Sequence, residues 1–148
     1  MKTPDAYEYI FLEDQGMCVA NQGSVQFWVK ATNDVHITLA DVRENAETLE
    51  IAIGGWGDSK SVLRFARGGE NINEAEGSWL SAEEYRPFWV SWTGGKVLVG
   101  TGTEIGQNTF LGVKSEQAIN YFGVATAWGS TGDWAFGYGQ YITLLIKC

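Results

Sequence analysis

Sugar and metal recognition both need clustered oxygen donors, and three stretches of this chain supply them: "DVRENAE" (41–47), "GTEIGQN" (102–108) and "GSTGD" (129–133). Calcium takes six to eight oxygens from carboxylates, amides and backbone carbonyls and needs no histidine. Asp41, Glu44, Glu104, Gln107 and Asp133 are side chains of the type that suits it. Two tryptophan phrases, "GGWGDSKS" (54–61) and "AWGSTGDWAF" (127–136), set Trp56, Trp128 and Trp134 beside glycines. At a strand end an indole either stacks on the apolar face of a sugar or packs into the corner and locks the turn.

Other chemistries lack their parts. His36 is the only histidine, so one chain cannot make a His pair or a Ser-His relay. It falls on the outward side of its strand and is expected to be exposed. Cys18 and Cys148 show no metal-ligand spacing, and an intrachain bridge, a bridge between chains and free thiols all fit two cysteines. "VLVGTGTEIG" (97–106) looks like a cofactor loop, but such a loop needs a following helix, and "QNTFLGV" reads as a strand. With 18 acidic residues, pairs of carboxylates arise by chance and give no specific support for glycoside hydrolysis.

A formal charge of −8 disfavours nucleic acid and anionic membrane surfaces as partners. The apolar run "YITLLI" (141–146) is far shorter than the roughly 20 residues that cross a bilayer. The opening "MKTPDAYEYIF" has no apolar signal core, which fits a cytoplasmic chain or a mature one whose signal has been removed.

The elements that must position these residues are strands. Aromatic residues and 19 glycines against two prolines favour an all-β fold, and the length fits one domain over 1–148. Alternation is clearest in "SVQFWVKA", "VHITLA" and "LEIAI", with Val25, Phe27, Val29, Ala31, Val35, Ile37, Leu39, Leu49, Ile51 and Ile53 inward. Trp92 is in phase with the core residues Phe88 and Val90, whereas Trp28 and Trp89 face the other way, packed under a loop or exposed. "TGGK" (93–96) predicts a two-residue hairpin, and Ser81 of "SAEEY" predicts a capped helical turn with Glu84. Nine or ten short strands, ending with "QYITLLIK" (140–147), make an antiparallel β-sandwich of jelly-roll type. If successive strands alternate in direction, the loops at 14–23, 41–48, 68–86, 102–107 and 128–133 share one end. The turn with Trp56 and Asp58 then lies at the other, structural end. That placement depends on every strand being identified.

"DAYEYIF", "VKATNDVHITLAD", "EIAIGGWGDSKSVLR", "EYRPFWVSWTGGKVLVG", "NTFLGV" and "YFGVATAWGSTGDWAF" resemble, in order and spacing, the farnesoic acid O-methyltransferase-like domain over nearly the whole chain. The resemblance implies an extracellular β-sandwich whose marine-invertebrate members bind galactose with calcium. Despite the family's name, the residues offer no α/β domain for S-adenosylmethionine, and the expectation is a lectin and not an enzyme. Gly54, Gly55, Trp56, Trp128, Gly129 and Gly132 read as shared scaffold. "DVRENAE" and "TGTEIGQ" fall where the family pattern varies and are expected to set specificity.

The expected protein is thus a secreted, homodimeric lectin for glycans ending in galactose. Asp133, Glu104 and Asp41 are expected on Ca2+. Asp133, Glu104, Gln107 and Glu44 are expected around the sugar, with Trp128 as a stacking surface. The alternative is a non-catalytic structural or protein-interaction module of extracellular proteins.

Overall fold

In the computed structural model, residues 1–43 and 48–137 are described. The predicted strand at 140–147, Cys148 and Glu44 fall outside them. Alternating sequences fold as the period of two requires. The strands are β1 (Lys2–Thr3), β2 (Ala6–Phe11), β3 (Ser24–Ala31), β4 (Val35–Ala40), β5 (Leu49–Gly54) and β6 (Lys60–Arg64). They continue as β7 (Asn71–Glu76), β8 (Arg86–Ser91), β9 (Lys96–Thr101), β10 (Thr109–Lys114), β11 (Tyr121–Thr126) and β12 (Gly132–Gly137).

Ten of these strands and the short β1 make two antiparallel sheets. One has the order β1-β12-β3-β8-β9-β10 and the other β11-β4-β5-β6-β7. The core lies between them: every residue expected inward on β3, β4 and β5 is buried, joined by Phe88, Val99, Phe122 and Trp134. Trp92 packs against this core only in part. The edges β7 and β10 approach each other, and Asn73 Oδ1 accepts the Gly112 N–H at 2.9 Å. That bond pairs an edge amide that would otherwise invite another strand.

The Gly-Gly hairpin forms between β8 and β9, with φ of 68° and 72° at Gly94 and Gly95, as a mirror-image turn demands. Ser81 Oγ accepts the N–H groups of Glu83 and Glu84 at 3.1 and 3.2 Å, but the predicted helical turn does not follow and the segment stays a bend. Gly100 near the end of β9, the first of the glycines at 100, 102 and 106, has a packing cause. Trp89, on the outer side of its sheet, is fully buried, and its Nε1–H donates to the Gln107 carbonyl at 2.8 Å. A Cβ at Gly100 would stand 2.3 Å from the ring.

Register corrects the placement of the loops. β7, "NINEAE", has no apolar alternation and went unread; inserting it reverses the direction of every later strand. The turn at Trp56 follows the end of β5, which pairs with the start of β4 (Ile53 with Val35), and that residue also pairs with the end of β11 at Thr126. Trp56 and Trp128 are therefore at the same end, together with the 102–108 loop. Asp41, after the far end of β4, is at the opposite one.

Gly100→Ala is expected to lower stability by roughly 1–3 kcal/mol, the usual cost of overpacking. Urea unfolding followed by tryptophan fluorescence measures it.

Candidate functional site

The outward positions of the second sheet include His36 and Thr38 on β4, Glu50 and Ala52 on β5, and Val62 and Arg64 on β6. A solvated outer face would carry exposed polar groups here. Instead all but Arg64 are buried, with His36 2% exposed and Glu50 0%. The expectation that His36 is exposed fails because other parts of the chain lie over this face: β2 supplies Tyr7 and Tyr9, and the two tryptophan turns close in from the end.

Glu50 organises the covering groups. Tyr7 and Tyr9 both donate their hydroxyls to Oε2. Arg64 Nη1 and the Gly68 N–H donate to Oε1 at 3.0 and 2.9 Å. His36 Nδ1 lies 3.8 Å from Oε2, and its Nε2 lies 3.4 Å from Asp34 Oδ1. Burial alone would raise the Glu50 pKa; the nearby His36 imidazole and the bonds from the Gly68 N–H, Tyr7 and Tyr9 outweigh it and hold the carboxyl at about 2. Burial, and then the bond to this carboxylate, push Tyr7 up. Burial and the negative charge of Glu50 do the same to Tyr9. Arg67 stacks over the Tyr7 ring at 4.2 Å and donates to the Tyr7 carbonyl.

Beside this network opens a cavity of about 480 Å³, lined among others by Asn33, Asp34, His36, Trp56, Arg64 and Trp128. Trp56 and Trp128 are 54% and 64% exposed, and both have φ of 51°. Left-handed backbone is unfavourable for a bulky residue and persists only where its surroundings impose it. Here they do. Asp58 carboxylate oxygens accept the N–H groups of Trp79 and Leu80 at 3.0 and 3.2 Å, and Ser59 Oγ donates to the Trp56 carbonyl at 2.7 Å. Asp5 Oδ1 accepts the Gly129 N–H at 3.0 Å, and Asn33 Nδ2 donates to the Trp128 carbonyl at 3.1 Å. Tyr7 packs against Trp128 with ring centroids 5.2 Å apart.

The expected ligand set is dispersed. Asp133 sits on β12 and binds Lys2 Nζ of β1 at 2.5 Å; that bond and the lysine charge hold its carboxyl below the usual carboxylate range. Glu104 lies in the loop after β9, separated from β12 by β3 and β8, or about 14 Å at ordinary strand spacing. Gln107 is in the same loop as Glu104, and its backbone carbonyl accepts from Trp89. Asp41 is a strand length away, where its Oδ1 accepts the Val42 N–H at 2.8 Å. Asp133, Glu104 and Asp41 therefore do not form one metal site. Of the expected residues that are described, Trp128 alone lines the cavity; Asn33, Asp34, His36, Trp56 and Arg64 were missed. The apolar Ala52 and Val62 at outward positions were the signal that this face is covered.

A family model described as "Farnesoic acid 0-methyl transferase" matches residues 5–138. The chain belongs to that family. It is 27% identical over 118 residues to "Uncharacterized protein 5" of Haliotis asinina, covering 78% of this chain and 68% of that protein. Among solved structures, the exoplasmic/lumenal domain of VIP36 with Ca2+ and mannose superposes with a TM-score of 0.51 at 10% identity, over 88% of this chain and 75% of that one. The form with Ca2+ and Man3GlcNAc gives 0.49 at 8% identity, over 76% of this chain and 66% of that one. The first of these likenesses shows a shared β-sandwich fold.

Because Glu50 titrates lower folded than unfolded, its contribution is present above the ordinary glutamate range of about 4.3 and is lost as pH falls toward about 2. Glu50→Gln is expected to be less stable near neutrality and to lose part of the acid dependence between about pH 5 and 2. Denaturant midpoints across that range test this.

Proposed function

We propose that the cleft binds a carbohydrate and that the protein is a secreted, non-catalytic lectin for glycans ending in galactose. The observation that carries this reading is the pair of exposed tryptophans, each in left-handed backbone, lining one cavity together with Asn33, Asp34, His36 and Arg64. A sugar ring has an apolar C–H face and a rim of hydroxyls. An indole serves the first, and carboxylate, amide and guanidinium groups the second. The axial hydroxyl of galactose leaves a continuous C–H face for one tryptophan and a neighbouring pair of hydroxyls for Asp34 and Asn33.

Calcium fits this end of the cleft better than the set expected from sequence. Asn33 Nδ2 stands between Asp34 Oδ2, at 2.6 Å, and the Trp128 carbonyl, at 3.1 Å. Turned over, the same amide presents its oxygen, so Asp34, Asn33 and the Trp128 carbonyl would offer up to four oxygens to a Ca2+. Such an ion would bind two vicinal hydroxyls of a sugar and complete its six ligands. Asp34 orients the amide, and His36, beside Asp34, backs the carboxylate.

The non-catalytic reading is supported by the glycine run at 100–106, which begins as the bed of Trp89 and not as an open cofactor loop. A homodimer would offer two clefts and raise the avidity of weak single sites. Lumenal placement of the VIP36 domain is compatible with the secretory pathway for this chain.

Calorimetric titration with lactose is expected to show binding in calcium that EDTA abolishes. Trp56→Ala and Trp128→Ala are each expected to weaken it at least about tenfold, within the 1–3 kcal/mol typical of an aromatic stacking partner. Unchanged affinity in both variants sinks the cleft assignment, and equal binding in EDTA sinks the calcium.

A further inference from the structure

The cleft is electrically polarised. At the Trp128 end the groups facing it are Asp34, the Asn33 amide and a backbone carbonyl. At the Trp56 end the lining group is Arg64, its Cζ 5.9 Å from the Trp56 ring centroid, and Lys60, outside the lining, has its Nζ 5.0 Å from the same centroid. Resting on the carbohydrate reading, we infer that the glycan carries an anionic substituent, a carboxylate or a sulfate ester, received by Arg64 and Lys60 beside Trp56.

Arg64 is built for this. Its Nε donates to Asn71 Oδ1 at 2.9 Å and its Nη1 to Glu50 Oε1 at 3.0 Å, and these two bonds fix the plane of the guanidinium. Five donors in one fork leave others for the cavity that the residue lines. Glu50 offsets part of the Arg64 charge, so Arg64 serves mainly as an oriented donor and Lys60 supplies the less compensated charge.

Lys60 is paired only at the surface. Its Nζ lies 3.5 Å from Glu74 Oε2, with side chains 30% and 45% exposed, and such pairs are held weakly. Glu74 also accepts from Asn71 Nδ2 at 2.9 Å, so it keeps a partner when the lysine turns toward a ligand. In a chain of net charge −8, cations beside the cleft set how well an anion is received there and how much salt weakens it.

The test titrates the full chain with three sugars, a neutral methyl galactoside, galacturonate and a sulfated galactoside, at low and at physiological ionic strength. At least one anionic sugar is expected to bind about five to tenfold tighter than the neutral one, with the advantage shrinking in salt. Lys60→Gln is expected to reduce the anionic-to-neutral affinity ratio to about half or less. A preference for galacturonate assigns the carboxylate, one for the sulfated sugar assigns the ester, and equal gains assign charge alone. Neutral binding as tight as both anions at low salt overturns the inference, as does an unchanged ratio in Lys60→Gln. If none of the three sugars binds, the carbohydrate reading itself falls and this inference with it.

Discussion

The fully buried negative charge of Glu50 is the constraint on which the rest depends. A carboxylate removed from water is costly unless each oxygen is bonded, and here the bonds come from three separate parts of the chain, β2, β6 and the turn after β6, with His36 of β4 close by at 3.8 Å. Meeting that requirement draws β2 across the outer face of a sheet that would otherwise be solvated. Tyr7, once bound to Glu50, becomes the surface against which His36 and Trp128 pack. The floor of the cleft and one of its walls therefore follow from how one charge is satisfied.

The two tryptophans express the same economy at the rim. Neither is in the backbone conformation its side chain prefers, and each turn is held by a carboxylate accepting backbone N–H groups, Asp58 at one and Asp5 at the other. Turns made only to reverse a strand can use glycine at such positions, as Gly94 and Gly95 do. Keeping tryptophan there, exposed, on both sides of one cavity costs conformational energy that a ligand-stacking surface explains. VIP36 shares the sandwich alone; the cleft is made by this chain's own side chains.

Much of the fold was legible. Period-two alternation fixed the core positions of β3, β4 and β5, and the Gly-Gly turn was readable because only glycine tolerates both of its φ values cheaply. Other features were hidden for physical reasons. β7 is an edge strand whose polar residues protect it from pairing, so it carries no apolar signal, and its omission moved Trp128 and Trp56 to opposite ends. Asp133 looked like a ligand because it is a carboxylate beside a tryptophan, but a cross-strand lysine already holds it. Asn33 and Asp34 sit in a two-sheet corner to which Trp128 is brought only by long-range pairing that no local pattern records. Trp128 was found because its exposure at a glycine turn is a local property.

The central claim is that two distant, similar phrases build one site. Indole N–H resonances of the tryptophans, followed by heteronuclear NMR as lactose is added in calcium, test it most directly. The account predicts that Trp56 and Trp128 shift together with one common affinity while the buried indoles of Trp89 and Trp134 stay in place. Movement of only one of the two rim tryptophans, or of neither, would contradict it.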